Sequence, residues 1–117
     1  MDQSIKKLTE RKLFPDGTAV VIGGSGGIGK AICETFASHR VPIIFTYHQN
    51  EKRAQDLQNK IIEFGGEAKY TQLELTNKTA VENFCKDLQD LKVHSIVNAT
   101  GADIRMKWIN ELSYEEW

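Results

Sequence analysis

Cysteine is scarce in this chain, proline equally so, and neither sign of charge prevails. With two cysteines in 117 residues, a disulfide framework does not define the fold. Cys33 and Cys85 both fall at apolar positions of helical patterns, which reads as two buried free thiols in a reducing, cytoplasmic compartment. Fifteen basic residues against sixteen acidic ones leave no large net field to recruit nucleic acid or an acidic membrane surface. No apolar run approaches the ~20 residues of a membrane span. The mostly polar stretch 1–12 lacks the apolar centre of a secretory signal. His39, His48 and His94 are scattered, with no Cys or His at ligand spacing, so a metal site is not expected. Asn77-Lys78-Thr79 and Asn98-Ala99-Thr100 match the glycosylation pattern, an incidental match without secretion.

What is present is ordinary globular material. Counting the nine glycines with the 40% hydrophobic residues, about 48% of the chain is apolar, enough for one small domain. Residues 1–17 read as a polar lead-in that closes on the turn Pro15-Asp16-Gly17. Residues 18–22 form an apolar, β-branched run without alternation, as in a strand buried on both faces. Glycines follow, and Ile28, Ile32 and Phe36 then recur at helical spacing to about His39. The pattern repeats: residues 41–47 predict a second strand, and Ala54, Leu57, Ile61 and Phe64 a second helix stopped by Gly65-Gly66. Residues 68–75 predict a third strand, of mixed polarity suited to a sheet edge. Val81, Phe84, Cys85, Leu88 and Leu91 stripe a third helix behind a Thr79-x-x-Glu82 capping box. Residues 95–98 predict a fourth strand. Such alternation implies an α/β fold, a doubly wound parallel sheet of Rossmann type with right-handed crossovers and helices on both faces.

The turn Gly23-Gly24-Ser25-Gly26-Gly27-Ile28-Gly29-Lys30 fits three templates. Gly24, Gly26 and Gly29 make the dinucleotide fingerprint G-x-G-x-x-G. Gly23, Gly27 and Gly29 make a variant with a longer first turn. Gly24, Gly29 and Lys30 approach the phosphate loop of nucleotide hydrolases, but Ala31 stands where a hydroxyl must hold magnesium. All three rest on the same physics: a helix N-terminus offers unpaired N–H groups, and glycine lets a phosphate approach the backbone. A tight strand-to-helix connection without any ligand is the competing structural reading.

Three features in order resemble the short-chain dehydrogenase/reductase family, close to its 3-oxoacyl-carrier-protein reductase-like members. They are Gly23-x-x-x-Gly27-Ile28-Gly29, Glu74-Leu75 after the third strand, and Asn98-Ala99-Thr100-Gly101 after the fourth. The resemblance implies strand order 3-2-1-4 and an NAD(P)-dependent oxidoreductase that moves a hydride between carbonyl and alcohol. By the same resemblance, Gly23, Ser25, Gly27, Ile28 and Gly29 would cradle the pyrophosphate. Glu74 and Leu75 would flank the adenine, while Asn98, Thr100 and Gly101 would line the ribose and nicotinamide side. The chain departs from the family in three places: Ile22 replaces a Thr that braces the turn, Glu74 replaces an Asp, and Ala99 replaces a second Asn. An acid about 20 residues past the glycines would clasp the ribose diol of NAD. Positions 41–50 hold none, so NADP is favoured over NAD. His48, expected near the 2′ position, and Lys52 or Arg53 are the groups that would attract its phosphate, although the latter two equally suit a solvated helix face.

The family's catalytic Tyr is followed four residues later by Lys, but here Tyr47 is followed at that offset by Glu51 and Tyr70 by Glu74. No catalytic constellation is recognised. Ser113-Tyr114-Glu115-Glu116 is a capping-box pattern that announces a helix, with Trp117 after it. Residues 18–117 therefore read as the cofactor-binding half of a two-half fold, whether truncated gene product, fragment or piece of a split protein. A carbonyl or alcohol substrate would meet only the complete protein. The alternative is a non-catalytic dinucleotide-binding or assembly module, pairing with a partner chain or itself through an exposed fourth-strand edge.

Overall fold

The computed structural model describes residues 13–101 and 108–115. Residues 1–12 of the expected lead-in 1–17 lie outside them, as do Glu116 and Trp117. Four strands form one parallel sheet: β1 (Thr18–Ile22), β2 (Ile43–Tyr47), β3 (Ala68–Gln72) and β4 (Val93–Asn98), in the order β3-β2-β1-β4. Three α-helices connect them: α1 (Gly27–Ser38), α2 (Glu51–Glu63) and α3 (Lys78–Asp87). A short 3-10 turn covers Ile109–Glu111. This is the Rossmann arrangement of the first four strands: two crossovers each lead to the adjacent parallel strand, and the third carries the chain back past β2 to the far side of β1.

The central strands are apolar because both of their neighbours and the layer above them are protein. β1 and β2 pair at Val21 and Phe45; these join Cys33, Ile43, Ala54, Leu57 and Ile61 in a single buried cluster. Alternate residues of β2 (Ile43, Phe45, Tyr47) point into that cluster, as strand geometry requires. α1 and α2 pack against each other and share this face of the sheet, α1 lying on β1 and β2 and α2 on β2 and β3. Gly65, at φ +82°, ends α2 as expected.

β2 starts two residues later and β4 two residues earlier than expected, and four further local expectations change. The third strand stops at Gln72, which frees Glu74 and Leu75 for the loop at the carboxyl end of the sheet. Asn77, not Thr79, caps α3: its side chain accepts from the Ala80 N–H at 3.0 Å. The stripe of α3 buries nothing fully, and Cys85 is exposed rather than buried. With β4 at the edge of the sheet, apolar surface there stays open, and Ile96 is 68% exposed. Lastly, Ile28 is 76% exposed. It sits in the first turn of α1, beyond the covering strands, and the helix buries Gly29 and Cys33 instead.

Candidate functional site

The carboxyl ends of β1, β2 and β4 and the loop after β3 surround a cleft of about 640 Å³. Gly23, Ser25, His48, Glu74, Leu75, Thr100 and Gly101 all line it. Seven of the expected site residues are thus brought together. Gly27 lines an adjoining hollow. Ile28, Gly29 and Asn98 do not line the cleft; they lie in the first turn of α1 and at the end of β4, which border it.

The glycine turn is built by packing as much as by sequence. Gly23 has φ +81°, a conformation that glycine adopts without steric penalty. A Cβ there would lie 3.0 Å from Thr100 Cγ2 and 3.2 Å from the Ala99 carbonyl oxygen, so the β1 turn and the β4 loop touch at this point. Gly29 is needed for close packing, since its Cβ would strike the Gly23 carbonyl oxygen. Gly27 differs: a Cβ there would meet nothing within 4 Å. Among the described residues no protein group explains glycine at that position, and the open space lies against the first turn of α1.

That turn is also bare electrostatically. Gly26 caps α1 without a side-chain hydrogen bond, and no acid stands in the first turn. By contrast, the Asn50 side chain accepts from Arg53 N–H at 3.1 Å in α2, and Asn77 does the equivalent in α3. Among the described residues, the N–H groups of Gly27, Ile28 and Gly29 meet no acceptor outside the helix. Three donors and the positive end of a helix dipole are therefore left without a side-chain or loop acceptor, a donor set that suits an anion.

Sequence reading missed Thr46. Its hydroxyl, buried in β2, accepts from Gly23 N–H at 3.0 Å, and its carbonyl accepts from Gly24 N–H at 3.0 Å. Thr46 therefore braces the turn in place of the hydroxyl lost at Ile22. A lone polar residue in an apolar strand was the available signal. On the β4 side, Asn98 Oδ1 accepts from Thr100 N–H at 3.2 Å and from Thr100 Oγ1 at 2.7 Å. Ala99 N–H donates to the Ile22 carbonyl at 2.8 Å. The loop holds its shape without a second Asn.

Charge in the cleft is unevenly placed. His48 Nε2 lies 3.9 Å from Glu74 Oε1, both side chains 57% exposed, and Glu74 also accepts from Thr76 Oγ1 at 3.0 Å. Burial, with Glu51 and Tyr70 adding, pushes the Tyr47 phenol above its ordinary range, so it lines the cleft uncharged. Beneath the turn, burial pushes the Cys33 thiol up to about 12, with Glu34 adding; it is packing, not a nucleophile.

The short chain dehydrogenase family model matches residues 17–117. The chain belongs to the short-chain dehydrogenase family. Glucose 1-dehydrogenase 2 of Bacillus subtilis is 29% identical over 108 residues, which cover 86% of this chain and 40% of that protein. Among solved structures, acetoin dehydrogenase YohF of Salmonella typhimurium is 27% identical with TM-score 0.69, covering 87% of this chain and 43% of that one. A metagenomic short-chain oxidoreductase in complex with NADP is 25% identical with TM-score 0.74, covering 92% and 48% respectively. This short-chain dehydrogenase chain therefore spans less than half the length of these relatives. Their names point to different substrates, so what they share is the oxidoreductase family rather than the 3-oxoacyl reductase subgroup.

Proposed function

We propose that this chain is the dinucleotide-binding portion of an NAD(P)-dependent oxidoreductase, with NADP preferred. The observation that carries the reading is the first turn of α1: free N–H groups, no cap, no acid, and an unfilled space at Gly27. A pyrophosphate fits that donor set. Gly27, Ile28 and Gly29 would donate to it, and Ser25 would close its flank. Glu74 and Leu75 would hold the adenine from the far wall, and Asn98, Thr100 and Gly101 would border the nicotinamide side. When bound, the dinucleotide supplies or accepts the hydride of carbonyl–alcohol interconversion. The protein's own part is to bind, orient and keep the first turn of α1 free of competing negative charge. A relative solved with NADP supports the cofactor class.

No Tyr-x-x-x-Lys occurs in these 117 residues, so they are expected to bind without turnover. A carbonyl or alcohol substrate belongs to the complete protein, and the two free thiols suit a cytoplasmic setting. The test is protection against urea unfolding. NADPH at 100 times its Kd would add about 2.7 kcal/mol, whereas ATP with magnesium would add little. Protection by magnesium-ATP alone would replace this reading with that of a nucleotide hydrolase. Reduction of a ketone by the purified chain would overturn the assignment of binding without turnover.

A further inference from the structure

We propose that Gln72, at the end of β3, is a positioning residue that holds segment 48–50, one rim of the cleft, in the shape that receives the dinucleotide; this rests on the dinucleotide reading above. His48, Gln49 and Asn50 all line the cleft, and Gln72 does not. Tyr47 and Gln72 are the last paired positions of β2 and β3. The ladder closes with Leu73 N–H donating to the Tyr47 carbonyl at 2.9 Å. Beyond that rung the chain leaves the sheet and turns towards α2. Among the described residues no backbone N–H reaches the His48 carbonyl. The Gln72 side chain supplies the missing donor: its Nε2 donates to the His48 carbonyl oxygen at 2.9 Å.

The rim contains neither glycine nor proline, so its shape comes from its anchors rather than from a special backbone residue. Among the described residues two anchors hold it. At the far end the Asn50 side chain caps α2, accepting from Arg53 N–H at 3.1 Å. At the near end Gln72 fixes the peptide that follows His48. The His48 ring adds little, because it stands 3.9 Å from Glu74 Oε1 with both side chains 57% exposed. All three rim residues are exposed. Held at one end only, such a segment samples several backbone shapes, and a ligand must order it on binding at a cost in affinity. Gln72 therefore contributes to binding without touching the ligand. Gln58 provides an internal comparison. Its Nε2 donates to the Ala68 carbonyl at 2.9 Å, the same bond at the opposite end of β3, and it does not line the cleft.

The test is isothermal titration of the full chain with NADPH, in wild type, Gln72→Met and Gln58→Met, joined to backbone nitrogen relaxation of the nucleotide-free proteins. Methionine keeps the length of glutamine and removes the donor. Gln72→Met is expected to lose roughly three- to tenfold in NADPH affinity. Its order parameters are expected to fall at Gln49 and Asn50 and to stay unchanged at Val21 and Phe45 in the core. Gln58→Met is expected to lower urea stability yet bind NADPH within about twofold of wild type. Unchanged affinity in Gln72→Met, or an equal loss in Gln58→Met, overturns the positioning role while leaving the dinucleotide reading intact. A loss of affinity without greater motion at Gln49 and Asn50 does the same. Failure of wild type to bind NADPH overturns both. Gln72 is exposed on an edge strand, and circular dichroism of the variant confirms that the fold persists.

Discussion

Two glycines two residues apart do opposite jobs. Gly29 lets α1 pack against the backbone of Gly23, whereas Gly27 leaves space that none of the described residues fills. Gly29→Ala is therefore expected to destabilise the fold severely. Gly27→Ala should leave urea stability equal or improved by up to ~1 kcal/mol, through helix propensity, yet weaken NADPH binding. Thr46→Val removes the acceptor of the Gly23 N–H and should cost about 1–3 kcal/mol, with Thr46→Ser close to wild type in the same urea titration. The thiols divide as well. In native protein Cys85 should react with a disulfide reagent at pH 8 while Cys33 does not, and denaturation should expose both. Because folding raises the Cys33 pKa from 9.0 to about 12, the folded state holds this proton more tightly. Its stabilising contribution is complete below pH 9 and is lost as pH rises towards 12. At this scale the glycine spacing was legible in the sequence. The Thr46 brace was not, because it depends on which side chain the folded second strand places opposite the turn.

Elements read more easily than their ends. β1 and β2 were visible as short apolar runs because both their faces are covered. The third strand was overextended because Leu73, beyond its end, is still buried. For α3, two capping residues stood within three positions, and only the folded backbone selects between them. Asn77→Ala is expected to cost about 1 kcal/mol and Thr79→Ala much less, by thermal unfolding; Asn50→Ala should resemble Asn77→Ala. The stripe of α3 was correctly apolar yet remains half open, since periodicity marks a face without naming what covers it.

For the whole molecule, strand order followed from parallel crossovers and the family resemblance, and the open flank followed from the order. β4 ends the sheet with Ile96 exposed, a surface prone to pairing. Ile96→Lys is expected to reduce concentration-dependent light scattering with little loss of stability. All of this surrounds one claim, that the start of α1 is a pyrophosphate seat. The most direct test is amide NMR of labelled chain titrated with NADPH. The largest shifts should fall on the N–H groups of Gly27, Ile28 and Gly29, with smaller ones at Leu75 and Thr100. Shifts confined to other surfaces, or none at saturating nucleotide, would contradict the account.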